Sequence, residues 1–211
     1  MKRFHVLTIF PGIFDSYISE SLFKRARKNK MLDVKTYDIR HYTTDKHHKT
    51  DDRPFGGGPG MVMKVEPVYR AVTEIKRKRP KARVILFSTR GATFDAKAAK
   101  RLAKYDDLIL VCGRYEGVDE RVAEHIVDEE ISMGDYVLSG GELPAMVLME
   151  AVARHIPGFL GKEESLEEVN GSFPTYTRPE SFRPKRGKAW DVPKVLLSGN
   201  HKKIDEWRQG K

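Results

Sequence analysis

Three glycine-bearing segments hold the residue types that could build a small-molecule site: GGGPGM at 56–61, CGRYEGVDERV at 112–122 and SMGDYVLSGGELPAM at 132–146. Glycine supplies backbone that can adopt positive φ and approach a planar ligand closely. The first segment lacks the Gly-Lys-Ser/Thr ending of a triphosphate-binding loop and does not join a strand directly to a helix. Nucleotide hydrolysis and ordinary dinucleotide binding therefore lose support. The second and third segments each follow a strand candidate, and in open α/β folds ligands gather at the carboxyl ends of strands. These two loops are predicted to share one pocket, with Glu116 near a cationic ligand, although each alone also reads as a tight turn. Cys112 ends a strand in apolar company and reads as a small hydrophobe rather than a nucleophile. His47 and His48 are adjacent, a spacing that does not turn both rings towards one metal from a strand or helix.

The elements that must position these loops follow from hydrophobic periodicity. Short apolar runs predict strands at 4–9, 34–39, 84–88, 108–112, 126–131 and 136–138, and helical spacing predicts helices near 14–30, 66–79, 95–104, 118–125 and 143–154. The alternation indicates an α/β domain with a mainly parallel sheet. Residues 41–61 are too polar and glycine-rich for regular structure. Beyond Pro157, residues 162–190 are charged, proline-bearing and without either period, which predicts a linker. Order resumes over 195–208, with Asn200 as the cap of a helix.

The totals narrow the function class. With 39 Lys and Arg against 30 Asp and Glu, the chain carries a formal charge of +9, which favours a polyanionic partner. The charge is segregated: residues 1–111 and 171–211 are basic, and 112–170 are acidic, unlike a uniformly solubilising surface. A single cysteine excludes an internal disulfide and fits a reducing cytoplasm. Pro11 and Gly12 interrupt the apolar start, which argues against a secretion signal. No apolar run approaches the roughly 18 residues of a membrane helix, so a soluble protein with no membrane partner is expected.

Taken together, IFPGIF, TTDKHHKTDDRPFGGGPGMVM, LVCGRYEGVDERV, DEEISMGDYVLSGGELPAMVLMEAVARHIPGFLG, YTRPESF and VPKVLLSGNHKKIDEWR closely resemble the bacterial tRNA (guanine-N1)-methyltransferase family TrmD, of the SPOUT class. The likeness runs in order over nearly the whole chain. It implies a parallel α/β sheet whose C-terminal part is threaded into a deep trefoil knot, a topology that periodicity alone would reject. It implies methylation of guanine 37 in tRNA at N1, and a homodimer in which the partner subunit helps form the tRNA surface. S-adenosylmethionine is then expected at Ser88, Gly91, Gly113, Tyr115, Glu116, Gly117, Ile131, Gly134, Tyr136, Leu138, Gly140, Gly141 and Pro144. A Mg²⁺ requirement is left open. Residues 1–161 would form the SPOUT catalytic domain, 162–190 the interdomain linker and 191–211 a shortened C-terminal tRNA-binding segment.

Guanine N1 carries a proton at neutral pH, so the reaction calls for a carboxylate base and a cation near O6. Arg154 matches the family's arginine for the second role. The chain departs from the family pattern in two places. Ser88-Thr89-Arg90-Gly91 stands where the family usually has Ser-Pro-Gln-Gly. The linker aspartate assigned as general base has no match: counting from Gly161 puts Val169 at that place, and counting from Ser172-Phe173 puts Gly171 there. Glu168, one position before the first of these, is the expected base. The alternative is a tRNA-binding protein with altered or lost catalysis.

Overall fold

The structure is a computed structural model that describes residues 1–160 and 173–210. These fall into two compact units, within Met1–Glu163 and Glu164–Lys211. The first unit is built on a five-stranded, wholly parallel sheet. Its strands are β1 (Lys2–Thr8), β2 (Leu32–Asp38), β5 (Arg83–Thr93), β6 (Asp107–Val111) and β7 (Glu129–Ser132), in the order β2-β1-β6-β5-β7. β6 is buried at every residue, as a central strand covered on both faces must be.

Period-two alternation divides the sheet's side chains between two cores. Phe4, Val6, Ile85, Leu108 and Leu110 pack on one face with residues of α2 (Ser21–Lys28), α4 (Ala96–Leu102) and α6 (Glu142–Ala153). Leu7, Val84, Leu86, Ile109 and Val111 pack on the other with α3 (Val65–Lys78) and Val122 of α5 (Glu120–His125). Helix α3 shows why these segments fold as they do. Val68, Ala71, Val72 and Ile75 are buried at i, i+3, i+4 and i+7, a stripe that pays off only when laid on a sheet. Val68, Val72 and Ile75 each contribute about 1.5–3 kcal/mol on burial, and Ala71 less.

Several expectations need correction. The predicted helix over 14–30 is broken into α1 (Asp15–Ile18) and α2, because Glu20 is extended and Ser21 takes φ of 48°. The loop over 41–61 is closed by a two-residue antiparallel ribbon, β3 (Asp51–Asp52) with β4 (Val62–Met63). Residues Tyr136–Leu138 form no strand. Gly134, at φ of +148°, turns the chain away from β7, which is already the sheet's edge, and the three apolar side chains are left exposed.

The second unit contains a short ribbon, β8 (Ser181–Phe182) with β9 (Trp190–Asp191), inside the segment expected to lack regular structure. The helices α7 (Lys194–Leu197) and α8 (His201–Arg208) follow. Asn200 caps α8 as expected, its Oδ1 accepting from the Lys203 amide at 3.1 Å.

At the amino ends of β1 and β6, Asp107 accepts from Arg3 Nε at 2.5 Å and from His5 Nε2 at 3.1 Å. Burial lowers the imidazole's proton affinity more than Asp107 restores it, so His5 is neutral at pH 7. Its Nε2–H then donates to Asp107, and Nδ1 accepts from the Tyr37 hydroxyl at 3.0 Å. Burial pushes the Asp107 carboxyl up, but the hydrogen bonds from Arg3 and His5 outweigh it and hold the group below the usual carboxylate range. A depressed folded-state pKa stabilises the fold above the unfolded value, near pH 4, and that stability is lost as pH falls through the folded value. Asp107→Asn should therefore cost about 3 kcal/mol at pH 7. The gap between thermal melts of the two proteins should narrow as pH falls below the ordinary carboxylate value, and a constant gap down through that range would contradict this account.

Candidate active site

At the carboxyl ends of β5, β6 and β7 lies a cavity of about 430 Å³, in the size range of small-ligand sites. Its walls come from three loops. The first is a bulge in β5: Phe87 and Ala92 both pair with Ile131, so Ser88–Gly91 are extruded from the ladder. The second is the Gly113–Gly117 loop after β6, in which Tyr115 takes φ of 60°, a strained setting for a residue other than glycine. The third runs from Met133 into the start of α6.

The second and third loops are locked together. The Gly141 amide donates to the Gly113 carbonyl at 2.9 Å, and a Cβ on Gly141 would lie 2.6 Å from the Cα of Cys112. A Cβ on Gly140 would fall against the Arg114 side chain. Below this crossing, the buried Glu142 carboxylate accepts from Arg114 Nε at 2.9 Å and from the Thr8 hydroxyl at 2.7 Å. The Arg114 guanidinium stacks over the Phe10 ring at 4.7 Å. One carboxylate thus ties the ends of β1 and β6 to the first turn of α6.

The glycine-rich segment 56–61 contributes differently from the other two. None of its residues lines the cavity. Gly56, Gly57, Gly58 and Gly60 all take positive φ, and a Cβ on Gly60 would collide with the Glu116 side chain. The Glu116 amide donates to the Met61 carbonyl at 3.0 Å, and the Met63 amide to the Gly117 carbonyl at 2.9 Å. The segment acts as a brace behind the second loop.

Of the residues expected at the donor site, Ser88, Gly113, Tyr115, Glu116, Gly117, Ile131, Tyr136, Leu138, Gly140, Gly141 and Pro144 line the cavity. Gly91 and Gly134 do not. Gly91 presses on the Glu130–Ile131 backbone, where a Cβ would lie 2.5 Å from Ile131 N, and Gly134 makes the turn that the Tyr136 ring covers. Both let neighbours reach the cavity rather than reaching it themselves. Arg154 is the C-cap of α6, half-buried and away from the lining. Glu168, Val169 and Gly171 lie outside the described residues. Sequence reasoning named Arg90 only as a departure from the family pattern and assigned no role to Arg114, Glu120 or Glu130, all of which line the cavity. The signal was present, since each lies within or beside a segment already singled out. Burial pushes the Cys112 thiol well up, which keeps it protonated and fits its reading as a small hydrophobe.

The cavity suits a ligand with a planar ring and a positive centre. Glycine backbone walls one side, and the lining includes Glu120 and Glu130, whose carboxylates stand beside the Arg90 guanidinium. A parallel α/β domain with such a pocket at its strand ends belongs to the class of enzymes that bind a nucleoside-type ligand there. The chain belongs to the family described as tRNA (Guanine-1)-methyltransferase TrmD, whose sequence profile matches residues 1–211. A tRNA (guanine-N(1)-)-methyltransferase of Geobacter sulfurreducens is 50% identical, over 99% of this chain and 85% of the relative. One from Clostridioides difficile is 47% identical, over 98% of this chain and 90% of the relative. A crystal structure of tRNA (m1G37) methyltransferase from Aquifex aeolicus superposes with a TM-score of 0.82 at 40% identity, covering 98% of this chain and 87% of that one. The SPOUT-type α/β fold expected from the sequence is the fold observed. Membership of a methyltransferase family implies S-adenosylmethionine as methyl donor.

Gly141 carries a folding role as well as a place in the cavity, since the atoms it would strike are backbone. Gly141→Ala should lower stability by about 1–3 kcal/mol and weaken binding of S-adenosylhomocysteine, read by thermal melting and calorimetry. Retention of both wild-type values would show that the crossing relaxes freely.

Proposed function

We propose that the chain transfers the methyl group of S-adenosylmethionine to N1 of guanine 37 in tRNA, the base 3′ of the anticodon. The observation that carries this reading is the glycine-walled, carboxylate-bearing cavity at the ends of β5–β7 in a chain of this family. The relatives' names favour an active enzyme over a catalytically silent tRNA binder. The donor supplies an electrophilic methyl on a sulfonium. The protein's task is to align it with N1, remove the N1 proton and stabilise the charge left on O6. In this proposal, the residues expected at the donor site that line the cavity hold the donor, Arg154 faces O6 and Glu168 takes the proton. The S–CH₃ bond breaks as the N1–C bond forms, leaving the neutral thioether S-adenosylhomocysteine. Guanosine and adenosine transcripts at position 37, incubated with labelled donor, test the assignment. Label appearing in 1-methylguanosine supports it, and label on any other nucleoside would overturn it. With or without Mg²⁺, the same assay settles the metal requirement.

The division into a catalytic domain at 1–161, a linker at 162–190 and a tRNA-binding segment at 191–211 belongs to the same proposal. So do the trefoil threading and a cytoplasmic location, the latter supported by the single cysteine. Among the described residues no helix is long and apolar enough to cross a membrane. Glu168→Gln should slow single-turnover methyl transfer by about a hundredfold or more, with S-adenosylhomocysteine affinity nearly intact. An undiminished rate would remove Glu168 from the role.

A homodimer is supported by α6. The helix is apolar around most of its circumference, yet Leu143 and Val147, one turn apart, are 57% and 53% exposed. Phe10 and Ile13, in the segment beside α6, are exposed as well. A helix apolar all round is normally covered, and a second copy would cover it symmetrically. Leu143→Asp with Val147→Asp should convert a sedimenting dimer to a monomer while the circular dichroism spectrum is kept. An unchanged sedimentation coefficient would refute that interface.

A further inference from the structure

Arg90 stands where the β5 bulge meets the rim of the cavity, its amide donating to Ser88 Oγ at 3.2 Å. Its Nη2 donates to Glu120 Oε2 at 2.6 Å, in the first turn of α5. The same nitrogen lies 3.8 Å from Glu130 Oε2 on β7. All three residues line the cavity, so one guanidinium reaches two of its walls from a third. The two carboxylates offer unlike seats. Arg90 and Glu120 have side chains 64% and 53% exposed, and an exposed pair contributes little and is readily broken. Glu130 Oε2 is out of contact with solvent and, among the described residues, has no hydrogen-bond partner, a costly state for a carboxylate oxygen. The outer contact is cheap to lose, and the inner acceptor gains by being met.

We propose that Arg90 is a clasp on the methyl-donor cavity: paired with Glu120 it bridges the rim, and docked on Glu130 it clears the rim for ligand exchange. The inference rests on the reading of this cavity as the donor site. Breaking the Glu120 contact is offset by satisfying Glu130, so the barrier to exchange is set by the balance between the two carboxylates. Arg90 acts as a positioning residue that governs how fast donor and demethylated product enter and leave, a step that commonly limits turnover.

Stopped-flow kinetics of S-adenosylhomocysteine with the intact chain tests this, with calorimetry giving Kd. Arg90→Gln should raise both association and dissociation rate constants severalfold while Kd changes by less than about threefold, as for any gate that leaves the end states alone. Glu120→Gln should also speed exchange. Glu130→Gln, which removes the alternative seat, should slow it. Added NaCl should accelerate exchange in the wild type but not in Arg90→Gln. Unchanged rates in Arg90→Gln would overturn the clasp, as would a weakened Kd with unchanged association, which would make Arg90 a direct ligand contact. Carboxylate variants that both shift the rates in the same direction would overturn it too. Failure of the wild type to bind S-adenosylhomocysteine would overturn the cavity reading, and the clasp with it; binding with unaltered rates in the variants removes the clasp alone.

Discussion

The approach of Gly141 to the Cys112–Gly113 backbone is the contact on which the rest of the site depends. Two loops that are separate in sequence meet there with no room for a side chain, and the Gly141 amide closes the crossing on the Gly113 carbonyl. Everything that lines the cavity from Gly113 to Gly117 and from Tyr136 to Pro144 takes its place from that crossing. Buried backbone groups demand partners, so each loop supplies what the other lacks. The arrangement also explains why the site sits at the carboxyl ends of β5–β7. At that edge the outgoing turns of adjacent parallel strands face one another.

Electrostatics reinforces the crossing. Glu142 is buried, and burying a carboxylate is tolerable only when it is paired and hydrogen-bonded. Arg114 and Thr8 meet both requirements, and in doing so they fix the start of α6 relative to β1 and β6. The acidic character of residues 112–170 is thereby divided into two populations. Glu142 is structural and the Glu116 side chain lies against Gly60, whereas Glu120 and Glu130 stand at the cavity beside Arg90. The Asp107 cluster holds the opposite end of the sheet, so charge pairs stand at both ends.

The three glycine segments look alike in sequence and do different work. Those at 112–122 and 132–146 line the cavity, while 56–61 braces the second loop from behind through Met61, Met63 and Gly60. At Gly60, Gly117, Gly134 and Gly141 glycine is called for because backbone or a carboxylate occupies the space of a Cβ, or because φ is positive. Composition cannot separate these reasons.

The sequence by itself determined the alternation of strands and helices, the parallel α/β class, the capped terminal helix and the family. All of these rest on local periodicity, capping chemistry or residues matched in order along the chain. It also marked the two loops that line the cavity, since glycine next to a strand end is a local signal. Only the tertiary structure decided that Tyr136–Leu138 is an exposed loop, that Gly91 stands behind the lining, and that Arg90 reaches both Glu120 and Glu130. Those facts depend on which backbones cross and which carboxylates converge from distant segments. Such contacts between residues 28 to 40 positions apart leave no periodic trace in the chain.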